Sequence, residues 1–136
     1  MGKPIKATAA MIAGMAPVRQ LGTFVFCTIR DAARLAQAQP QALGLFHEDE
    51  GASLILAVEV AAALGFPVDQ PMAQITLSVV SALDGVGLTA AVAGALAAEG
   101  IPCNMVAAFH HDHVFVPLNL ADRAMVVLEG LAGGVP

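Results

Sequence analysis

The hydrophobic positions follow two different periods along the chain, one typical of strands and one typical of helices. Apolar runs rich in branched and aromatic residues, TFVFCTI at 23–29 and AQITLSVVS at 73–81, predict buried strands. Apolar residues spaced by four predict a helix over 88–99, and Gly100 is placed to end it. Residues 121–131 also carry an apolar helical face, so a second long helix is predicted there.

Shorter segments of the sequence predict a linker and the remaining helices and strands. The segment FPVDQP at 66–71 contains two prolines and a charge, which favours a linker. The remaining predicted elements are a helix at 7–16, a helix or irregular connection at 31–38, strands at 42–46 and 53–58, a helix at 58–65, and strands at 101–109 and 114–116.

An internal repeat relates the two halves of the chain. FHEDE at 46–50 aligns with FHHDH at 109–113, and each segment lies between two predicted strands that a helix follows. A strand, a helix, a hairpin and a further helix form the split β-α-β arrangement of ferredoxin-like folds. We therefore predict an α+β fold of two tandem halves, residues 1–69 and 70–136, with antiparallel sheets and the helices on one face of each sheet.

Composition excludes several classes of protein. With 57% hydrophobic and 12% charged residues, the chain is far from the disordered regime. Charges and prolines interrupt its apolar runs before they reach the ~20 residues that a membrane-spanning helix needs. The N-terminus only faintly resembles a secretory signal, so we expect a cytoplasmic protein in which Cys27 and Cys103 are buried, reduced thiols.

Charge argues against nucleic acid as a partner. The net charge is −5, and the six basic residues are scattered along the chain without forming a stripe. The chain also has no Tyr or Trp on which bases would stack. Nucleic acid is therefore an unlikely partner.

The turn SALDGVGLTA at 81–90 is the first candidate for chemistry. It joins a predicted strand to a predicted helix, where free backbone N–H groups and the helix dipole favour an anion such as a carboxylate. The glycines at 85 and 87 also match a dinucleotide fingerprint weakly, although a hairpin follows the helix where a parallel strand is required. The purely structural alternative is a tight turn in which Asp84 caps the helix.

The stretch from His110 to His113 is the second candidate. If it continued a strand, His111 and His113 would share a face, which is a feasible arrangement for two metal ligands. A metal site needs a third ligand, and the aligned segment in the first half has carboxylates in place of these two histidines. We therefore expect a polar hairpin turn, no bound cofactor, and no catalytic set of nucleophile, base and orienting group.

The second half resembles an ACT domain. The family pattern of a strand, Asp-x-Pro-Gly-x-Leu, a helix, Gly-Ile-Asn-Ile and two further strands is matched by Asp84, Gly87 and Leu88, and approximately by Gly100-Ile101 and Asn104. Val86 stands where the family usually has proline, and Pro102-Cys103 is inserted. With FVFCT and a Phe-x-Glu-Asp-Glu-Gly hairpin in its first half, the chain is similar to small bacterial proteins made of two ACT-like halves.

This resemblance implies a regulatory or sensory protein, a homodimer that binds an amino acid and has no catalytic activity of its own. The ligand carboxylate would take backbone N–H groups of the 85–89 turn, and Asp84 would take the ligand ammonium group. The alternatives are a metal-binding protein that uses the His110–His113 turn, or a structural protein–protein interaction module. The predicted ligand-binding residues are Asp84, Val86, Gly87, Leu88, Thr89 and Asn104.

Overall fold

The computed structural model describes residue 12, residues 14–78 and residues 87–133. The strands in this part of the chain are β1 (Pro17–Arg19), β2 (Phe24–Ile29), β3 (Gly44–Glu48), β4 (Gly51–Ala57), β5 (Met72–Leu77), β6 (Asn104–Ala107) and β7 (Asp112–Pro117). The helices are α1 (Ala32–Ala38), α2 (Val58–Ala63), α3 (Leu88–Ala98) and α4 (Ala121–Ala132), with short 3-10 turns at Gln39–Gln41 and Leu118–Leu120.

The described helices and strands form two compact units. One unit is Gly22–Met72, and the other contains the described residues up to Leu21 and from Ala73 onward. The sequence places the boundary between the halves at residue 69, whereas the N-terminal segment belongs to the same compact unit as the second half. The reason is that β1 pairs with Ile75–Leu77 of β5 and with no strand of the Gly22–Met72 unit.

In the Gly22–Met72 unit, the strand order is β3-β4-β2. Both neighbouring pairs are antiparallel, and β2 is paired with β4 along its whole length, from Phe24↔Ala57 to Ile29↔Ala52. Side chains alternate between the two faces of a strand, so one face of the sheet is apolar and packs on α1 and α2. The buried core of this unit is Val25, Ile29, Ala38, Ala52, Leu54, Leu56 and Ala61.

The second unit has the strand order β1-β5-β7-β6. Its edge strand β1 comes from the N-terminal segment, and β6 and β7 form an antiparallel hairpin. One face of β5 and β7 packs on α3 and α4, which bury the apolar stripes that the sequence predicts. The buried core is Met15, Ala73, Ile75, Leu77, Leu88, Val92, Leu96, Ile101, Val114, Val116, Ala121, Ala124 and Leu128.

These observations confirm the predicted fold class, an α+β fold with antiparallel sheets and helices on one face. Helix α3 ends next to Gly100, as predicted, and the N–H of Ile101 returns to the carbonyl of Leu96. Helix α1 begins at Asp31, whose carboxylate accepts the backbone N–H of Arg34 at 3.0 Å. The predicted helix at 7–16 and the end of the strand predicted at 73–81 lie mostly outside the described residues. Among the described residues, no helix has the length and apolar character needed to cross a membrane.

Candidate functional site

A hydrogen-bonded polar cluster lies on the face of β5 and β7 that points away from the helices. Ala73, Ile75 and Leu77 of β5 are in the core, so the alternating residues Gln74 and Thr76 point to the opposite face. Both are nearly buried, with 7% and 5% of their surfaces exposed. A buried polar side chain is costly unless it is hydrogen-bonded, so the partners of these two residues matter.

His113 of β7 is the centre of this cluster. Its Nδ1 atom lies 3.2 Å from Nε2 of Gln74 and 3.0 Å from Oγ1 of Thr76. The amide of Gln20 donates to the same Thr76 hydroxyl at 2.9 Å. Which of these atoms donates depends on the tautomer of the His113 ring. The cluster therefore gives the buried Gln74 and Thr76 side chains a shared hydrogen-bond partner in His113.

Burial lowers the pKa of the His113 imidazole below its ordinary value of 6.5. The neighbouring His111 lowers this pKa further, whereas Asp112 opposes the shift. Burial also raises the pKa of the Asp112 carboxyl, against the effect of both histidines. The neutral form of His113 is therefore the form that the fold favours near pH 7.

The lowered pKa predicts a loss of stability in mild acid. Below pH 6.5 the unfolded chain takes up a proton at His113 more readily than the folded protein does, so the free energy of unfolding falls as the pH falls through this value. We expect the melting temperature of the wild-type protein to decrease more between pH 7.5 and pH 5.5 than that of His113→Gln. Melting curves of both proteins across this range measure the difference, and equal pH dependences would contradict it.

Three of the predicted ligand-binding residues lie at the start of α3. Gly87 precedes the helix with a φ of 102°, a left-handed conformation that favours glycine, and no side chain that the structure describes caps the helix there. Leu88 points into the core with 4% of its surface exposed, and Thr89 is exposed. Within the described part of the chain, the first-turn N–H groups of α3 therefore have no side-chain acceptor of the usual capping kind.

The other predicted residues are separated from this helix start or lie outside the described part of the chain. Asp84 and Val86 are among the residues that the structure does not describe. Asn104 pairs with Phe115 and donates from Nδ2 to the Phe115 carbonyl at 3.3 Å. Residues paired directly across two strands share a face, so Asn104 lies on the face of the sheet that carries His113, and not on the helix side.

The histidine stretch is partly a turn and partly a strand. The turn is closed by the N–H of Ala108, which donates to the carbonyl of His111, and Asp112 and His113 already belong to β7. The Nδ1 atom of His111 is buried, and the structure shows no hydrogen-bond partner for it among the described residues. Within these residues, no group of three or more His, Cys, Asp or Glu side chains is placed to hold a metal ion.

Sequence reasoning missed Gln20, Gln74 and Thr76. The available signal was the alternation in AQITL, where two polar residues two positions apart must share one face of a buried strand. That pattern predicts a polar patch on an otherwise apolar sheet. It does not identify His113 as the partner, because that contact joins positions 37 and 39 residues apart.

Two family models cover the chain. Residues 4–73 match one ACT domain model, and residues 71–130 match another. ACT domains are regulatory domains that bind small molecules, and neither model describes a catalytic domain. No curated protein matches the chain.

Several solved structures are similar to this chain over most of its length. A Vibrio cholerae protein of unknown function has 36% sequence identity and a TM-score of 0.80, over 90% of this chain and 93% of that one. A protein from Agrobacterium tumefaciens has 17% identity and a TM-score of 0.66, over 87% and 89%. The ligand-free regulatory subunit of aspartate kinase from Thermus thermophilus shares the fold at 10% identity and a TM-score of 0.59, over 85% and 95%. The chain belongs to the ACT domain family, with two ACT domains in tandem.

Proposed function

We propose that this protein is an amino-acid sensor without catalytic activity of its own, and that its ligand binds at the start of α3. The observation that carries this proposal is the beginning of an 11-residue helix behind a left-handed glycine, where no side chain of the described residues caps the helix. The first intrahelical bond is from the N–H of Ala91 to the carbonyl of Gly87. The N–H groups of Leu88, Thr89 and Ala90 therefore have no acceptor within the helix, and they suit a ligand carboxylate.

The rest of the amino acid would be held by side chains near this turn. The Thr89 hydroxyl is exposed beside the free N–H groups, and Asp84 supplies a carboxylate for the ligand ammonium group. Asn104 is on the helix-free face of the sheet, so it is not part of this placement of the ligand. Regulatory subunits of aspartate kinases share the fold, which supports a regulatory role. The homodimer and the cytoplasmic location stay predictions.

A thermal-shift screen of the untagged full chain tests the proposal. The panel contains the twenty amino acids, several nucleotides, and zinc with and without a chelator. A ligand present at 100 times its dissociation constant adds about 2.7 kcal/mol to the free energy of unfolding, so the melting temperature rises visibly. We expect a rise with one or a few amino acids and none with nucleotides.

Variants then locate the bound amino acid. Gly87→Val forces a branched residue into a left-handed conformation and distorts the turn, and Asp84→Ala removes the carboxylate. We expect each to weaken binding by about tenfold or more, because a hydrogen bond to a charged group contributes roughly 1.5–3 kcal/mol. Glu129→Ala removes an exposed carboxylate from α4 and is the charge-matched control.

Melting temperatures without ligand show whether each variant is folded. Unchanged affinity in both Asp84→Ala and Gly87→Val would overturn the placement of the ligand. A melting shift with zinc alone would instead favour the histidine stretch as a metal site. No shift with any compound would favour a protein–protein interaction module.

A further inference from the structure

A cavity of about 400 Å³ lies in the Gly22–Met72 unit, away from the residues considered so far. Its walls are four consecutive residues of β2, at 25–28, and five residues of the segment 66–72. This volume is within the range of small-molecule sites, roughly 300–1,000 Å³.

The position of the cavity follows from how β2 is paired. Consecutive strand residues point to opposite faces of a sheet, so a cavity lined by four of them in a row lies beside the edge of the strand. One edge of β2 is paired with β4 along its length, and on the other edge the structure records one pair among the described residues, Phe24↔Met72. The cavity occupies the space beside this second edge. In the other unit, the edge of β5 is paired with β1.

The lining combines aromatic walls with a single charge. Phe26 and Phe66 supply the aromatic surfaces, and Asp69 is the one charged side chain among the lining residues. Thr28 and Gln70 add a hydroxyl and an amide, which supply both hydrogen-bond donors and acceptors. Such a set of a few polar groups among apolar surfaces is typical of a small-molecule site.

No described cation forms an ion pair with Asp69. Arg34 is the basic residue that contacts the lining, but its guanidinium stacks on the Phe66 ring at 4.2 Å and donates to the Leu64 carbonyl at 2.8 Å. An unpaired carboxylate beside aromatic surfaces is complementary to a positively charged nitrogen attached to an apolar body.

We propose that this cavity binds a small ammonium compound with an apolar body, and that Asp69 holds its ammonium group while Phe26 and Phe66 contact the body. Both free amines and amino acids present this chemistry, and the experiment separates them. The proposed site uses none of the residues at the start of α3, so it is a second binding site, located in the first ACT domain.

Calorimetric titration of the full chain with three matched probes tests the proposal. Phenethylamine has the ammonium group and an aromatic body, phenylalanine adds a carboxylate, and 2-phenylethanol replaces the ammonium group by a neutral hydroxyl. We expect phenethylamine to bind at least about tenfold more tightly than 2-phenylethanol, as a charge-assisted hydrogen bond requires. Binding of phenethylamine alone identifies an amine site, and binding of phenylalanine as well identifies an amino-acid site.

Two aspartate variants separate a local effect from a change of net charge. Asp69→Asn keeps the shape of the lining and removes its charge, and we expect it to weaken the binding of phenethylamine by about tenfold or more. Asp49→Asn makes the same change in the β3–β4 turn, outside the cavity. We expect an effect of less than about twofold, because this carboxylate is not part of the lining and salt screens its interaction with a ligand in the cavity.

Cys27 provides an independent readout, because this residue is part of the cavity lining. Burial raises the pKa of this thiol and Arg34 opposes the shift, so all rates are compared at one fixed pH. In a Cys103→Ser background, bound phenethylamine should slow the alkylation of Cys27 by iodoacetamide. In a Cys27→Ser background, the alkylation of Cys103 should not change.

Three results would overturn the proposal. They are no binding of phenethylamine or phenylalanine, binding that Asp69→Asn leaves unchanged, and binding that does not protect Cys27. Binding that is lost in Gly87→Val and retained in Asp69→Asn would assign the ligand to the start of α3, so this site would fail while the proposed function stands. Binding that depends on Asp69 and is retained in Gly87→Val supports the second site, whatever the outcome at the first.

Discussion

Replacing Leu128 by alanine is expected to lower the free energy of unfolding by about 2–5 kcal/mol. Leu128 is fully buried on α4, within the core that this helix shares with α3, β5 and β7. The substitution removes apolar surface from the core and leaves a space that a close-packed interior closes only in part. Urea denaturation of the wild-type and variant proteins measures the difference.

Val126→Ala is the matched control for this experiment. Val126 is on the same helix, two residues before Leu128, but 69% of its surface is exposed. We expect its effect to lie within about 0.5 kcal/mol, as for most surface substitutions. Equal effects at the two positions would mean that α4 does not bury the face that contains Leu128.

Much of the core of both units follows from the sequence because the core residues within helices and strands repeat with the period of their own element. Val92 and Leu96 are one turn apart on α3, and Ile75 and Leu77 are two residues apart on β5. Local spacing alone therefore determines which side of each element is apolar. Once those sides are known, the helices have to cover the apolar face of a sheet, which is why the fold class was predictable.

Strand β1 was not predictable in the same way. It is only three residues long, begins with Pro17 and has no room to show an alternating pattern. Its place is determined by pairing with Ile75–Leu77, more than fifty residues further along the chain. A sequence-order division into halves at residue 69 therefore assigns β1 to the first half, although its only recorded partner strand is β5.

In the candidate site too, the sequence predicts features that have a local signature and not contacts between distant segments. The helix start at Gly87–Thr89 was found because a turn between a strand and a helix has a local signature of glycines and polar residues. The cluster around His113 was missed because its members come from separate segments and meet only when β1, β5 and β7 align. Asn104 was assigned to the helix start by resemblance, whereas strand pairing places it on the opposite face of the sheet.

The two ACT domains differ at corresponding edges, and this difference separates their proposed ligands. In the second domain, β1 covers the edge of β5, and the free backbone groups are those at the start of the 11-residue helix α3. In the first domain, the corresponding helix α1 has 7 residues and is capped by Asp31, so its N-terminus has a side-chain acceptor. The open feature of the first domain is instead the cavity beside β2. The repeat therefore preserves the fold, whereas the two proposed binding sites differ in position and in chemistry.

The second large effect on stability is expected at Gly51. Replacing it by alanine should lower the free energy of unfolding by about 1–3 kcal/mol. Gly51 begins β4 with a φ of 144°, in a region that residues with a Cβ rarely adopt. A Cβ atom at this position would lie 3.0 Å from the carbonyl oxygen of Ile29 and 3.2 Å from Oγ1 of Thr28. The oxygen belongs to the backbone of the paired strand β2, so it cannot move without disturbing the β2–β4 pairing.

Gly94→Ala on α3 is the control, because it makes the same chemical change where space is available. Apart from the adjacent residues and the backbone of α3 itself, no atom of the described residues lies within 4 Å of a Cβ added there. Alanine in a helix interior is more favourable than glycine by about 0.5–1 kcal/mol. The two substitutions should therefore change the midpoint of urea denaturation in opposite directions. A stabilising effect of Gly51→Ala would contradict the close approach of β4 to β2. Because Thr28 also lines the cavity, a destabilised Gly51→Ala protein should in addition bind phenethylamine more weakly than Gly94→Ala.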